Sequence, residues 1–291
     1  MKHLLSCMLV VCNVSLLSAQ NLETTTLTAT SSNAAFAPVT TALAVEAPAT
    51  EKTAAKKSFS FSQRKSYFRL GERVVALQRQ VTEKETPFVL VSLHNNENNV
   101  STVARKYIAE NGGEFFELLN GGERDIVFTL FEKEINVDPN CIFTPRGRNQ
   151  DLSINRKTDI VISHQINGFA QFILNELPHE KALVSLHSNA PGEYSMDDYK
   201  KGGDRFRDAW MMHRNPAQPA SDFFVTTSRP VYDLLKDKNY NVVLQSSRCG
   251  DDGSLAVFCG RTRRTYIGIE TDRSNSAAQE EMIRVVSSLF E

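Results

Sequence analysis

Residues 88–94 read Phe-Val-Leu-Val-Ser-Leu-His, and residues 182–187 read Ala-Leu-Val-Ser-Leu-His. The two stretches end in the same five residues, Leu90-Val91-Ser92-Leu93-His94 and Leu183-Val184-Ser185-Leu186-His187. A near-continuous run of β-forming apolar residues is the pattern of a strand buried on both faces, as in parallel sheets covered by helices. Working outward, the spacing predicts a helix over about 100–110, stopped by Gly112-Gly113. Strands at 114–119 and 125–131 flank Asn120-Gly121-Gly122, which reads as a hairpin turn. An amphipathic helix spans 156–177 and ends before Pro178. Strands follow at 223–226, 241–245, 255–258 and 265–269, with helices at 231–238 and 277–290. Helices alternating with buried strands imply an α/β domain, a three-layer αβα arrangement with a mixed, mostly parallel sheet.

The chain has 291 residues, a net charge of −1 and 41% hydrophobic residues, enough for one sizeable core. Charge this balanced excludes a non-specific nucleic-acid binder. Met1-Lys2-His3 is a short basic start, Leu4 to Leu17 is almost wholly apolar, and Ser18-Ala19 offers small residues for cleavage. Residues 1–19 therefore read as a signal peptide cut near Ala19, since the apolar run falls short of the ~20 residues of a membrane span. Residues 20–57, rich in Thr, Ala and Ser, lack the large apolar side chains that offset ordering entropy and read as a disordered linker. The domain is then 58–291, and the protein is expected to be secreted or periplasmic, with no membrane span in the mature chain. Cys249 and Cys259 flank Gly250-Asp251-Asp252-Gly253, a turn signal, and are a candidate disulfide across a hairpin in an oxidising compartment.

His94 and His187 each end a buried strand. If those strands run parallel, both emerge at the carboxyl edge of the sheet, where open α/β folds gather their sites. Glu97 follows His94 by three residues, as the chain leaves the strand, so both side chains can turn onto one point. Two imidazoles and a carboxylate with one position left open form a common catalytic zinc set. His94, Glu97 and His187 are accordingly the expected ligands of one Zn2+ ion.

His94-Asn95-Asn96-Glu97, followed about ninety residues later by His187, resembles the HxxE…H signature of the zinc carboxypeptidases. That family includes the succinylglutamate desuccinylase and aspartoacylase branch, which the shorter spacing and His187-Ser188-Asn189 fit better. The resemblance covers roughly 88–290. It implies a general base on a late strand, which Tyr266-Ile267-Gly268-Ile269-Glu270 supplies as Glu270, and an Arg that polarises the scissile carbonyl, which falls at Arg124. It also implies an Asn-Arg pair for the substrate carboxylate. Asn140 matches the Asn, but Cys141 stands in place of the Arg, and a neutral thiol is no bidentate partner. Arg146 or Arg148, a few residues on, is the candidate substitute; otherwise the site recognises something other than a free carboxylate or has decayed. The implied activity is hydrolysis of a peptide or amide bond near a terminus, with a peptide (cell-wall peptides included) or an N-acyl amino acid as substrate. Zinc-dependent deacylation of N-acyl amino acids, or a non-catalytic binding domain on the same scaffold with or without metal, are the alternatives. The tyrosine that digestive carboxypeptidases carry on a loop ahead of the base has no counterpart between Cys249 and Thr265. Residues 189–207, polar and with several glycines, are expected to form a loop over the site.

Overall fold

The computed structural model describes residues 58–154 and 159–291; the expected signal peptide and linker lie outside the described residues. The chain runs β1 (Phe61–Leu70), β2 (Arg73–Thr82), β3 (Phe88–Ser92), α1 (Asn98–Asn111), β4 (Glu114–Leu119), β5 (Ile126–Leu130), β6 (Lys133–Val137) and α2 (Pro145–Ile154). It continues with α3 (Ile160–Glu176), β7 (Ala182–Asn189), two short 3-10 turns at Met196–Tyr199 and Phe206–Asp208, and β8 (Ala209–His213). Then come β9 (Phe223–Thr226), α4 (Arg229–Asp237), β10 (Val242–Gln245), α5 (Leu255–Thr262), β11 (Tyr266–Asp272) and α6 (Ser276–Ser288). Among the described residues, no helix is long and apolar enough to cross a membrane.

Nine strands form one mixed sheet in the order β1-β2-β4-β3-β7-β11-β9-β10-β8, beside a separate β5–β6 hairpin. The pairings β3–β4, β3–β7, β7–β11 and β9–β10 are parallel. The pairings β1–β2, β2–β4, β9–β11 and β8–β10 are antiparallel. The sheet is thus half parallel rather than mostly so: the antiparallel β1–β2 hairpin extends one end of a parallel centre made of β4, β3, β7 and β11, and at the other end the parallel pair β9–β10 joins antiparallel to β11, with β8 antiparallel at the edge.

Alternation along the central strands feeds two cores. Val89, Val91 and Leu93 join one apolar cluster with Ile166, Phe169 and Ile173 of α3 and Leu255 of α5. Phe88 and Leu90 join another with Val100 and Ala104 of α1, Leu235 of α4 and Ile283 of α6. Each such fully buried side chain contributes about 1.5–3 kcal/mol by leaving water, so β3, buried throughout, and β7, buried on every residue but its last, are fixed in register from both sides.

Three expectations are corrected. Strand β4 does not form a hairpin with the segment after Gly122; it pairs in parallel with β3, and β5 turns back on β6 through Phe131 and Glu132, both at positive φ. Residues 255–258 are helical: Ser254 Oγ accepts from Val257 N and Asn140 Oδ1 from Leu255 N, so the first turn of α5 is capped. With Cys259 on that helix there is no hairpin to bridge, and Cys249 and Cys259 are unbonded. Burial pushes the Cys259 thiol up to about 12.

Candidate metal centre and cleft

The parallel register sets the site. Glu270 and His187 are direct neighbours across β11 and β7, and His94 lies just past the end of β3. Glu97 occupies the N-cap position of α1 but makes no cap hydrogen bond, so its carboxylate is free to turn toward the sheet. There Oε2 accepts from Ser188 N at 2.8 Å, and Oε1 lies 3.1 Å from His94 Nδ1. His94, Glu97 and His187 are all buried and bring one donor atom each within 4.8 Å of one another. Donors on a tetrahedral zinc stand about 3.3 Å apart, from bond lengths of about 2.0–2.1 Å; the His94–Glu97 pair is already close to that.

The outer nitrogens of both imidazoles are held. His94 Nε2 meets Asp138 Oδ1 at 2.9 Å, and His187 Nε2 meets Ser185 Oγ at 2.9 Å. The nitrogen that faces the co-ligand Glu97 is Nδ1 in His94, and in His187 the Ser185 contact occupies Nε2, so Nδ1 is the metal-side nitrogen of both. Burial alone would depress His94, but its hydrogen bonds to Asp138 and Glu97 outweigh it and raise the imidazole to about 9. The same contacts override burial at Asp138, which falls to about 2, and hold Glu97 below the usual carboxylate range. Two ionised carboxylates thus converge on one imidazole in a buried place. Such a place calls for a positive charge, a proton on His94 or a metal between the ligands. The donor set, its spacing and its open side fit a zinc ion.

Glu270 is 9% exposed, and burial raises it above the ordinary carboxyl range despite the nearby His187. Asn189 Nδ2 donates to its Oε2 at 2.7 Å. A carboxylate held at one oxygen, with elevated basicity and facing the metal ligands, is suited to moving a proton.

These groups open into a cleft of about 700 Å³, within the range of small-ligand sites. The structure brings His94, Glu97, His187, Glu270, Arg124 and Asn140 to its wall. Arg124, 48% exposed, points its two guanidinium nitrogens at Glu97 (3.5 Å) and Asp138 (3.4 Å). Asn140 has its side-chain oxygen committed to Leu255 N, which leaves its amide nitrogen for a ligand. Arg146 and Arg148 do not border the cleft: Arg146 is exposed on α2, and the buried Arg148 donates to Ile142 O at 2.7 Å. Cys141 does not border it either.

Sequence reasoning did not single out Arg205, which borders the cleft on the segment after His187 that was expected to overhang the site. Its guanidinium lies 5.0 Å from the Tyr194 ring centroid and 3.6 Å from Asp252. Tyr194 and Tyr199 share a short hydroxyl contact behind it, and both border the cleft with Tyr266. Asp138 was also missed, although it sits two residues from Asn140; its only sequence signal was proximity. His164 and His179 are exposed, and His213 pairs with Asn239 outside the cleft.

No protein-family profile matches the chain, and no curated protein matches it. Among solved structures, an aspartoacylase family protein from Mesorhizobium loti is 13% identical with a TM-score of 0.41, over 82% of this chain and 69% of that one. A zinc-bound cold-adapted esterase from an Arctic intertidal metagenomic library is 16% identical with a TM-score of 0.23, over 44% and 49%. The thioesterase domain from the curacin biosynthetic pathway is 11% identical with a TM-score of 0.21, over 43% and 35%. Likenesses this distant fix neither the family nor the reaction.

Proposed function

We propose that this protein is a secreted zinc-dependent hydrolase of a three-layer αβα scaffold, cleaving an amide bond next to a carboxylate-bearing end of its substrate. The observation that carries the reading is the convergence of His94, Glu97 and His187 beside a buried carboxyl, Glu270, whose strand register sets it against His187. A bound zinc would lower the pKa of a coordinated water and polarise the scissile carbonyl. Glu270 takes the proton of the attacking water and hands it to the leaving amine; Asn189 keeps the carboxylate oriented for both transfers. Arg124 stands beside the ligands, where a guanidinium stabilises negative charge developing on the carbonyl oxygen. Arg205 takes the role left open at Cys141, binding the substrate carboxylate from the loop after His187.

A cleft of this size, closed by two tyrosines and an arginine, favours an N-acyl amino acid or the last residues of a short peptide over a long polymer. The reading is tested by metal analysis of the purified protein, then by a panel of N-acyl amino acids and short peptides, cell-wall peptides included, with zinc and with chelator. Stoichiometric zinc with chelator-sensitive release of amine is the expected result. A protein that neither holds nor takes up zinc refutes it.

A further inference from the structure

Arg205 does not face the cleft alone. Its Nη1 stands 3.6 Å from Asp252 Oδ2, beyond an ordinary hydrogen bond, while its guanidinium lies 5.0 Å from the Tyr194 ring centroid. Asp208, on the same loop as Arg205, borders the cleft as well. Each acid is fixed by one oxygen and keeps the other for a ligand. Asp252 Oδ1 accepts from Ser254 N at 3.0 Å, and Asp208 Oδ1 accepts from Gly250 N at 2.8 Å. The turn that carries Asp252 is itself anchored: its buried neighbour Asp251 accepts from Thr144 Oγ1 and Gly253 N and pairs with Arg261. Arg205 N donates to Asp198 O at 2.9 Å, and Ser246 N donates to Asp208 O at 2.7 Å, which ties the Arg205 loop to the Asp252 loop. One cation and two carboxylates are therefore in place before any ligand arrives.

The two carboxylates outweigh the one guanidinium. A ligand end with only a carboxylate would satisfy Arg205 but leave both acids facing its negative charge, and an end with only an ammonium would do the converse. An ammonium and a carboxylate on one carbon, the free end of an α-amino acid, match both signs at once. An amide at that α-amine would remove the ammonium, so the amide to be cleaved must sit elsewhere on the molecule.

We propose that the cleft takes an amino acid acylated on its side-chain amine, with the free α-ammonium against Asp252 and Asp208 and the α-carboxylate on Arg205. The proposal rests on the hydrolase reading above and narrows its substrate class. Hydrolysis breaks the bond between the acyl carbon and the side-chain nitrogen; water supplies the hydroxyl of the released acid and the proton gained by the amine. Val225 and Val257, on the same cleft wall, suit the methylenes between the two ends.

The test uses the purified full chain with zinc and two isomers, Nε-acetyl-lysine and Nα-acetyl-lysine, which differ only in the amine that is acylated. The Nε isomer should be hydrolysed with a kcat/KM at least about 10-fold higher, the scale of one hydrogen bond between charged groups. Asp252→Asn keeps an oxygen for Ser254 N and removes the charge. It should cut that preference about 3- to 10-fold, mainly through KM, since the carboxylate is part-exposed. Calorimetry reads the head-group site without turnover. Lysine should bind more tightly than ε-aminocaproate, which lacks the α-ammonium, and Asp252→Asn should weaken lysine without weakening ε-aminocaproate. Equal or faster hydrolysis of the Nα isomer, ε-aminocaproate bound as tightly as lysine, or no binding of lysine overturns the proposal. Selective lysine binding without zinc uptake or hydrolysis refutes the hydrolase reading instead and leaves the head-group site standing.

Discussion

Zinc uptake by this protein should release a proton from His94, and the Asp138→Asn variant should release much less. In the metal-free protein His94 is raised to about 9, so near pH 7 the imidazole is ~99% protonated and must lose that proton to bind a metal. The competition weakens apparent zinc affinity about 100-fold at pH 7 relative to solutions well above pH 9, a tenfold change for each pH step below the His94 value. Replacing Asp138 with Asn keeps an oxygen for His94 Nε2 but removes the charge, and the imidazole moves back toward 6.5. Isothermal titration of the metal-free protein with zinc, in two buffers of different ionisation enthalpy at about pH 7.5, counts the protons. Wild type should release close to one proton more than Asp138→Asn, with the difference vanishing above about pH 9. Identical counts would refute the assignment of His94 as the charged partner of Asp138. The same pair shapes stability without metal. A His94 value raised in the fold adds stability that is full below about pH 6.5 and lost as pH rises through about 9. The lowered Asp138 adds stability present above about 3.8 and lost as pH falls through about 2. The pair is worth about 2–3 kcal/mol.

Glu270→Gln should retain zinc and lose turnover about 10²–10⁴-fold, or about 3–5 kcal/mol of barrier. Because burial raises Glu270 above 4.5, the acid limb of kcat/KM in the wild type should lie above that value and be absent from the residual rate of the variant. Arg205→Ala should lower kcat/KM about 10- to 150-fold, the loss of about 1.5–3 kcal/mol from hydrogen bonds to a charged group. A substrate amidated at its carboxylate should lose nothing further, and equal losses on both substrates would remove Arg205 from carboxylate recognition. Gly253→Ala should lower the thermal midpoint of the metal-free protein by at least about 2–4 °C. Gly253 has φ +82°, and a Cβ there would come within 2.2 Å of Cys141 O. An unchanged midpoint would mean that the 141–143 segment can shift.

The His94-Glu97-His187 cluster was legible in the sequence because strands carry two of its members. A strand buried on both faces announces itself by composition. In an all-parallel neighbourhood its end lies at the carboxyl edge whatever the neighbouring loops do, so Leu-Val-Ser-Leu-His written twice was enough to bring His94 and His187 together. Elements that met water on one side were harder. Strand β1 reads Phe-Ser-Gln-Arg-Lys-Ser-Tyr-Phe-Arg-Leu and is mostly exposed, so no apolar run marked it. Residues 255–258 form a four-residue apolar run between turn signals, a pattern that does not distinguish a strand from a buried helical turn. The first turn of α5 is capped locally by Ser254, which accepts from Val257 N, and from a distance by Asn140, which accepts from Leu255 N.

Substrate recognition was illegible for the same physical reason. A residue that binds a carboxylate needs only a guanidinium in reach, and no backbone periodicity records which loop will supply it. At position 141 the backbone leaves little room for that role. Phe143 N donates to Gly253 O at 2.8 Å, and Gly253 lies against Cys141 O so closely that no other residue fits. Ile142 and Phe143 then fill the core under α5. Residues 141–143 are locked down as structure, and on the proposed reading the substrate-binding cation is Arg205, on the loop after His187, stacked over the Tyr194 ring. On that reading, departure from the expected Asn-Arg pair is a relocation of charge beside the His94-Glu97-His187 cluster. The two halves should separate on mutation, with Arg205 variants losing substrate affinity at full zinc occupancy and Asp138 variants losing zinc first.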